Sequence, residues 1–223
     1  NDSVENTCLI LETFSKAIIY AFSASHLQVH APHLDLSGRI NAKSTSFYGN
    51  TSLLAGATLG TQQFTMHAGT FDNKGHLYSE TTLRLGLGKD VEALNKGQIS
   101  CTALEITGEG EIANLAGGAI TSERADITCR SVTNQGLLDL KAVKVGENTK
   151  VIQNLEGGFI TMNTLQLAGN TVLYNESGEG KVSVIAETKK TGMVFGDIKA
   201  LPDAKPSLIN TGAVLVSGEI DGT

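Results

Sequence analysis

Tryptophan is absent from this 223-residue chain, and only 3 prolines, 3 cysteines and four arginines are present. Aromatic residues make up 5% of it, little for an enzyme that must enclose a small ligand in an apolar pocket. Cys8, Cys101 and Cys129 are too few and too scattered for a disulfide framework or a zinc knuckle, and read as buried small hydrophobes. Positive charge is short as well. A formal net charge of −6 lacks the basic face of a nucleic-acid binder, so no nucleic-acid partner is expected. No apolar run is long enough to cross a bilayer as a helix, since residues 8–22 are broken by Glu12 and Lys16. The leading NDSVENTC is acidic and polar, unlike a signal peptide, and with the closing GEIDGT it reads as a segment cut from something longer.

Glycine, by contrast, is abundant at 25 residues, mixed with Asn, Ser and Thr between Leu, Ile and Val. That mixture favours short strands joined by frequent turns. The turns recur at nearly equal intervals. Gly38, Gly75, Gly97, Gly118, Gly136, Gly158, Gly180 and Gly212 are each followed two residues later by an apolar residue, with Gly56 a degenerate member whose Leu59 comes one place late. Seven and nine residues past the glycine come apolar pairs such as Leu104 and Ile106, Ala125 and Ile127, Val143 and Val145, Leu165 and Leu167. A separation of two puts both side chains of a pair on one face of a strand. Asparagine marks the same corner of each unit, at Asn73, Asn95, Asn114, Asn134, Asn154, Asn175 and Asn210.

A unit of about 20 residues with so few apolar side chains cannot build a core alone, and stacking solves this. The expected fold is all-β, a parallel β-helix of nine to ten coils, with stacked corner asparagines hydrogen-bonding along the axis and glycines supplying positive φ. Local Asx turns are the rival reading of those asparagines. Residues 1–16 are expected to form a cap or an extra coil, 17–185 the repeats, 186–207 a loop excursion, and 208–223 a further coil that continues in the full-length protein. Near the start, Ile18, Tyr20 and Phe22 alternate, with Leu27 and Val29 as the later pair.

The units, carried by Asn95-Lys96-Gly97-Gln98-Ile99, Asn134-Gln135-Gly136-Leu137-Leu138 and their equivalents, resemble the haemagglutinin repeats of filamentous haemagglutinin-type exoproteins. These are secreted by two-partner systems in Gram-negative bacteria, and contact-dependent inhibition proteins share the repeats. The resemblance covers about residues 34–185, extending towards 220. It implies a right-handed β-helix, export through an outer-membrane partner, a secreted or cell-surface location, and a role as surface fibre or adhesin meeting a host or target-cell receptor. The family's amino-terminal NPNG-type secretion motif is not found, so the chain resembles an interior rod segment, monomeric as a fragment.

β-Helices also serve as polysaccharide lyases, glycosidases and tailspikes, so the fold alone does not decide function. Glu105 and Asp126 both fall eight past their glycine, outward on adjacent coils, and form the one candidate carboxylate pair; Glu109, Glu111 and Glu123 are neighbours in sequence. In this frame no Arg or Lys recurs in line with them. His26, His30 and His33 would need to converge to hold a metal, and Pro32 intervenes; GLGKD at 86–90 lacks the phosphate-loop spacing. No catalytic residue, metal or cofactor is therefore assigned. The expected function is a non-catalytic rod of a secreted adhesin or toxin-delivery exoprotein, with a carbohydrate-active β-helix or a tailspike-like binding protein as the alternative.

Overall fold

The computed structural model describes residues 8–20, 22–176 and 192–222. Among these every regular element is a strand, and the strands pair in parallel as a β-solenoid of about ten turns, about 20 residues apart. One coil shows the plan. Ala119–Ile127 bends at Glu123 into two straight stretches, a short turn follows, and Ser131–Asn134 forms the third side. Each side pairs with the equivalent side before and after it, as in Ile99, Ile120 and Leu138, or Ile112, Val132 and Ile152. The glycine frame of the sequence thus becomes the axial register.

Alternation within each strand sends every second side chain inward, where it meets the same position of the coils above and below. One inward column runs Ile40, Leu59, Leu77, Ile99, Ile120, Leu138, Ile160, Met193. Nearly all of it is buried, as are Phe47, Phe64 and Phe71, whose rings pack edge-on and tilted at 5.5 and 6.0 Å. Burying one such aliphatic side chain contributes about 1.5–3 kcal/mol, but only when the neighbouring coil covers it.

Among the described recurring glycines Gly38 supplies the expected positive φ, at 70°, but most of the others do a different job. Gly75, Gly97, Gly118, Gly136 and Gly158 are not among the glycines at positive φ. They are needed because coils touch there: a Cβ at Gly97 would lie 2.0 Å from the Gly75 carbonyl oxygen, and one at Gly136 2.2 Å from that of Gly118. Positive φ belongs to the residue just before, in the turns Leu115–Gly118 and Leu155–Gly158, where Gly117 and Gly157 sit at φ 85° and 83°. These turns close with the fourth amide donating to the first carbonyl at 2.8 and 2.9 Å, as a type II turn requires.

The same turn corrects the degenerate unit. Ala57, not Gly56, pairs ahead of Thr58 in the slot of Gly75, and its amide donates to Leu54 at 3.0 Å; Gly56 is the positive-φ residue, at 79°. Counted from Ala57, Leu59, Phe64 and Met66 fall into the common frame. In the following coil the late pair Leu83 and Leu85 has another cause. Glu80 and Thr81 oppose the single residue Gln62, a β-bulge held by Thr81 Oγ1 and Ser79 Oγ donating to the Gln62 carbonyl at 2.6 and 3.0 Å.

Two further expectations change. At the amino end Cys8–Glu12 and Ala17–Ile19 join the stack, but with Ala17 and Ile19 inward while Ile18 and Tyr20 are 53% and 71% exposed. The alternation is right and its phase is reversed at Ile18 and Tyr20, whereas Phe22 pairs with inward Ile40 and packs on the core as expected. At the other end, the excursion over 186–207 is corrected: Gly192–Ala200 is a full rung pairing with Phe159–Leu167, and Ser207–Asn210 pairs with Val172–Asn175. Gly192, not a residue following Gly180, donates to the Gly158 carbonyl at 3.1 Å. The extra length lies before this rung, and Gly180 itself falls outside the described residues.

Candidate functional site

Two sets of polar residues stand out: one inside the corner of the stack, one along an outer face. In the corner column Ile19, Leu36 and Leu53 give way to Asn73, Asn95, Asn114, Asn134, Asn154, Asn175 and Asn210, all in axial register. Each Nδ2 donates to the next Oδ1, at 2.7, 2.7, 2.7, 2.9, 2.9 and 2.8 Å from Asn73 through to Asn210. The amides also serve the backbone. Asn134 Nδ2 reaches the carbonyls of Gly136 and Phe159 at 3.0 and 3.1 Å, and Asn114 Nδ2 that of Leu137 at 2.9 Å. All but Asn210 are buried, where an unmet amide would be costly and a met one fixes the register.

On the outer face Glu105 and Asp126 stand opposite each other on adjacent rungs, about 4.8 Å apart along the axis. They line a shallow groove of about 680 Å³, floored by small or short side chains such as Ala103, Ala142 and Thr164 and bordered by Arg124, Lys144 and Lys199. Basic residues do stand in line with the carboxylates, contrary to the sequence frame: Arg84 precedes Glu105 and Lys144 follows Asp126 in the same column. Arg84 was hidden by the bulge at Glu80, which moves it nine residues past its glycine. Lys144 lies eight past Gly136, and counting one more unit reveals it.

The electrostatics divide the two carboxylates. Arg84 Nε and Nη2 donate to Glu105 at 2.5 and 3.3 Å, and this hydrogen bond, with the charge of Glu105, raises the Arg84 pKa. Asp126, Arg124 and Lys144 have no side-chain partner among the described residues. Glu105 is therefore occupied as half of an ion pair while Asp126 remains free. The other acidic neighbours are dispersed: Glu111 pairs with Arg130 at 2.9 Å, Glu123 with Lys141 at 2.5 Å, and Glu109 is exposed.

The histidines do not converge. His30 stacks on Tyr48, and Tyr48 on His67, with centroids 4.0 and 4.2 Å apart, while His26 and His33 face Ser44 and Asn50. No group of three or more His, Cys, Asp or Glu side chains among the described residues could hold a metal ion. Cys101 and Cys129 are buried free thiols, pushed up to about 11 and about 12 chiefly by burial, and Cys8 is exposed. GLGKD runs from the end of the strand His76–Leu87 into a turn, with Asp90 at φ 57°. No protein-family model matches this sequence, and no curated protein or solved structure matches it either.

Proposed function

We propose that this chain is a rod segment of a large secreted bacterial surface exoprotein, an adhesin or toxin-delivery protein, which holds distal domains away from the cell. The carrying observation is the asparagine ladder, a single hydrogen-bonded column threading seven coils and buried in all but the last. Polar chemistry inside the chain is spent on joining coil to coil, as length and stiffness demand. Export through an outer-membrane partner and adhesion to a receptor belong to the same reading, which the N-x-G-x-I resemblance supports. About ten coils at 4.8 Å give a rod near 48 Å long. Protease shaving of intact source cells tests the location: fragments of this chain in the supernatant support the reading, and a chain protected until lysis refutes it.

A carbohydrate-active enzyme is favoured by one observation, the register of Glu105 and Asp126 inside a groove with Arg124 and Lys144 beside them. Cleavage of acidic polysaccharides, lost in both Glu105→Ala and Asp126→Ala, would establish it. The ion pair on Glu105 weighs against a free acid–base couple.

A further inference from the structure

A second concavity of about 590 Å³ lies on a different side of the solenoid, nearer the amino end, and no feature of the rod explains it. Its origin is Gly60. At the equivalent outward position the flanking coils carry Asn41 and Tyr78, so the missing side chain opens a notch between them. The glycine is not demanded by the backbone, since it is not at positive φ and a Cβ there would meet only the tip of Asn41, at 3.1 Å. A β-branched residue would suit a strand better.

Tyr78 borders that notch with its ring half exposed, at 50%. Elsewhere on this rod stacked aromatics cover one another, as His30, Tyr48 and His67 do. Tyr78 has Gly60 and Ser100 as its register neighbours, and no ring stacks on it among the described residues. Around it stand Asn41, Lys43, Gln62 and Glu80, all exposed, with side chains that have no hydrogen-bond or ion-pair partner among the described residues. The bulge at Glu80–Thr81 turns the strand at this rim.

From this arrangement we infer that the Gly60 notch is a binding subsite for a neutral saccharide. A pyranose presents a C–H face that lies against an aromatic ring, and a rim of hydroxyls that both donate and accept. Tyr78 supplies the ring, two amides supply mixed donors and acceptors, and Lys43 and Glu80 balance each other's charge. A polyanion would need an excess of cations that neither the notch nor the chain, at −6, provides. The inference rests on the adhesive half of the proposed function and not on the rod, so shaving of cells and glycan binding fail separately.

The test presents the full 223-residue chain to an array of neutral oligosaccharides (glucose, galactose and N-acetylglucosamine types) and acidic ones (uronate, sialylated, sulfated), then titrates the best neutral probe. Binding to a neutral probe is expected, weakened about tenfold or more in both Tyr78→Ala and Gly60→Val. Gly60→Val fills the notch without disturbing backbone, and an unchanged thermal midpoint shows that the fold is kept. Three results overturn the inference: no neutral probe bound, binding unaffected by Gly60→Val, or binding confined to acidic probes and abolished by salt.

Discussion

Removing Asn134 tests whether the corner ladder stabilises the rod. Its side chain accepts from Asn114 at 2.7 Å and donates to Asn154 at 2.9 Å, to Gly136 at 3.0 Å and to Phe159 at 3.1 Å. In Asn134→Ala, Asn114 Nδ2 keeps the Leu137 and Gly118 carbonyls at 2.9 and 3.4 Å, so that donor is rescued. Asn154 Oδ1 loses its ladder donor and stays fully buried. One orphaned buried acceptor costs about 1–3 kcal/mol and the lost hydrogen bonds add about 1, giving about 3 kcal/mol in total. For a chain of this size that lowers the thermal midpoint by about 6–12 °C. Lys144→Ala, on the exposed outer face, should stay within about 0.5 kcal/mol of the parent. Urea unfolding followed by far-UV circular dichroism and by tyrosine fluorescence measures both, and coincident transitions with equal m-values license the comparison. Equal midpoints for the two variants would refute the reasoning.

Glycines of the two classes should respond differently to alanine. Gly117, at φ 85° with open space around it, should cost about 1–2 kcal/mol, whereas Gly97→Ala drives a Cβ into the Gly75 carbonyl and should cost more than Gly117→Ala in the same urea assay. Thiol labelling of the native chain at pH 8 should modify Cys8 alone, with Cys101 and Cys129 reacting only in denaturant, as read by mass spectrometry. These two buried thiols also predict a pH effect. Their folded pKa values lie above the ordinary 9.0, so their contribution is complete below pH 9.0 and is lost as pH rises towards about 11 and about 12, where only the unfolded chain has ionised first. Unfolding free energy measured across that window should fall with pH, and in Cys129→Ala the fall should be shallower. Arg84→Ala should change stability by less than about 1 kcal/mol, because its pair with Glu105 is solvent-facing, and added salt should narrow even that difference.

The period of two within each unit and the interval between units made the inward rows readable before any coordinates, because a strand that faces a core on one side has to alternate. Corner asparagines were legible because the same residue recurs at the same interval from Asn73 to Asn210, although the first coils fill that corner with Ile19, Leu36 and Leu53. What the pattern concealed was local slippage. Ala57 took a slot that glycine fills elsewhere, and the bulge at Glu80–Thr81 moved Arg84 one place along the sequence frame while leaving it in the structural column of Glu105. Ile18 and Tyr20 alternate as well as any inward pair, and only the register with Asp35 and the following coil shows that they point out. After Asn175 the next rung described opens at Gly192, and Gly180, which satisfied the motif, lies outside the described residues. The notch at Gly60 was invisible because an outward glycine in a glycine-rich chain carries no pattern of its own.

Every ladder bond described above runs the same way, from the amide nitrogen of one coil to the amide oxygen of the next towards the carboxyl end. The amide dipoles therefore add head to tail, and each bond polarises its neighbours, by about 10–30% in condensed-phase estimates. The rod has an electrical direction as well as a length. A break at Asn114 or Asn134 divides one long polarised chain into two shorter ones, whereas a break at Asn73 or Asn210 only trims it. Coils in the middle of the column are thus coupled to partners they never touch.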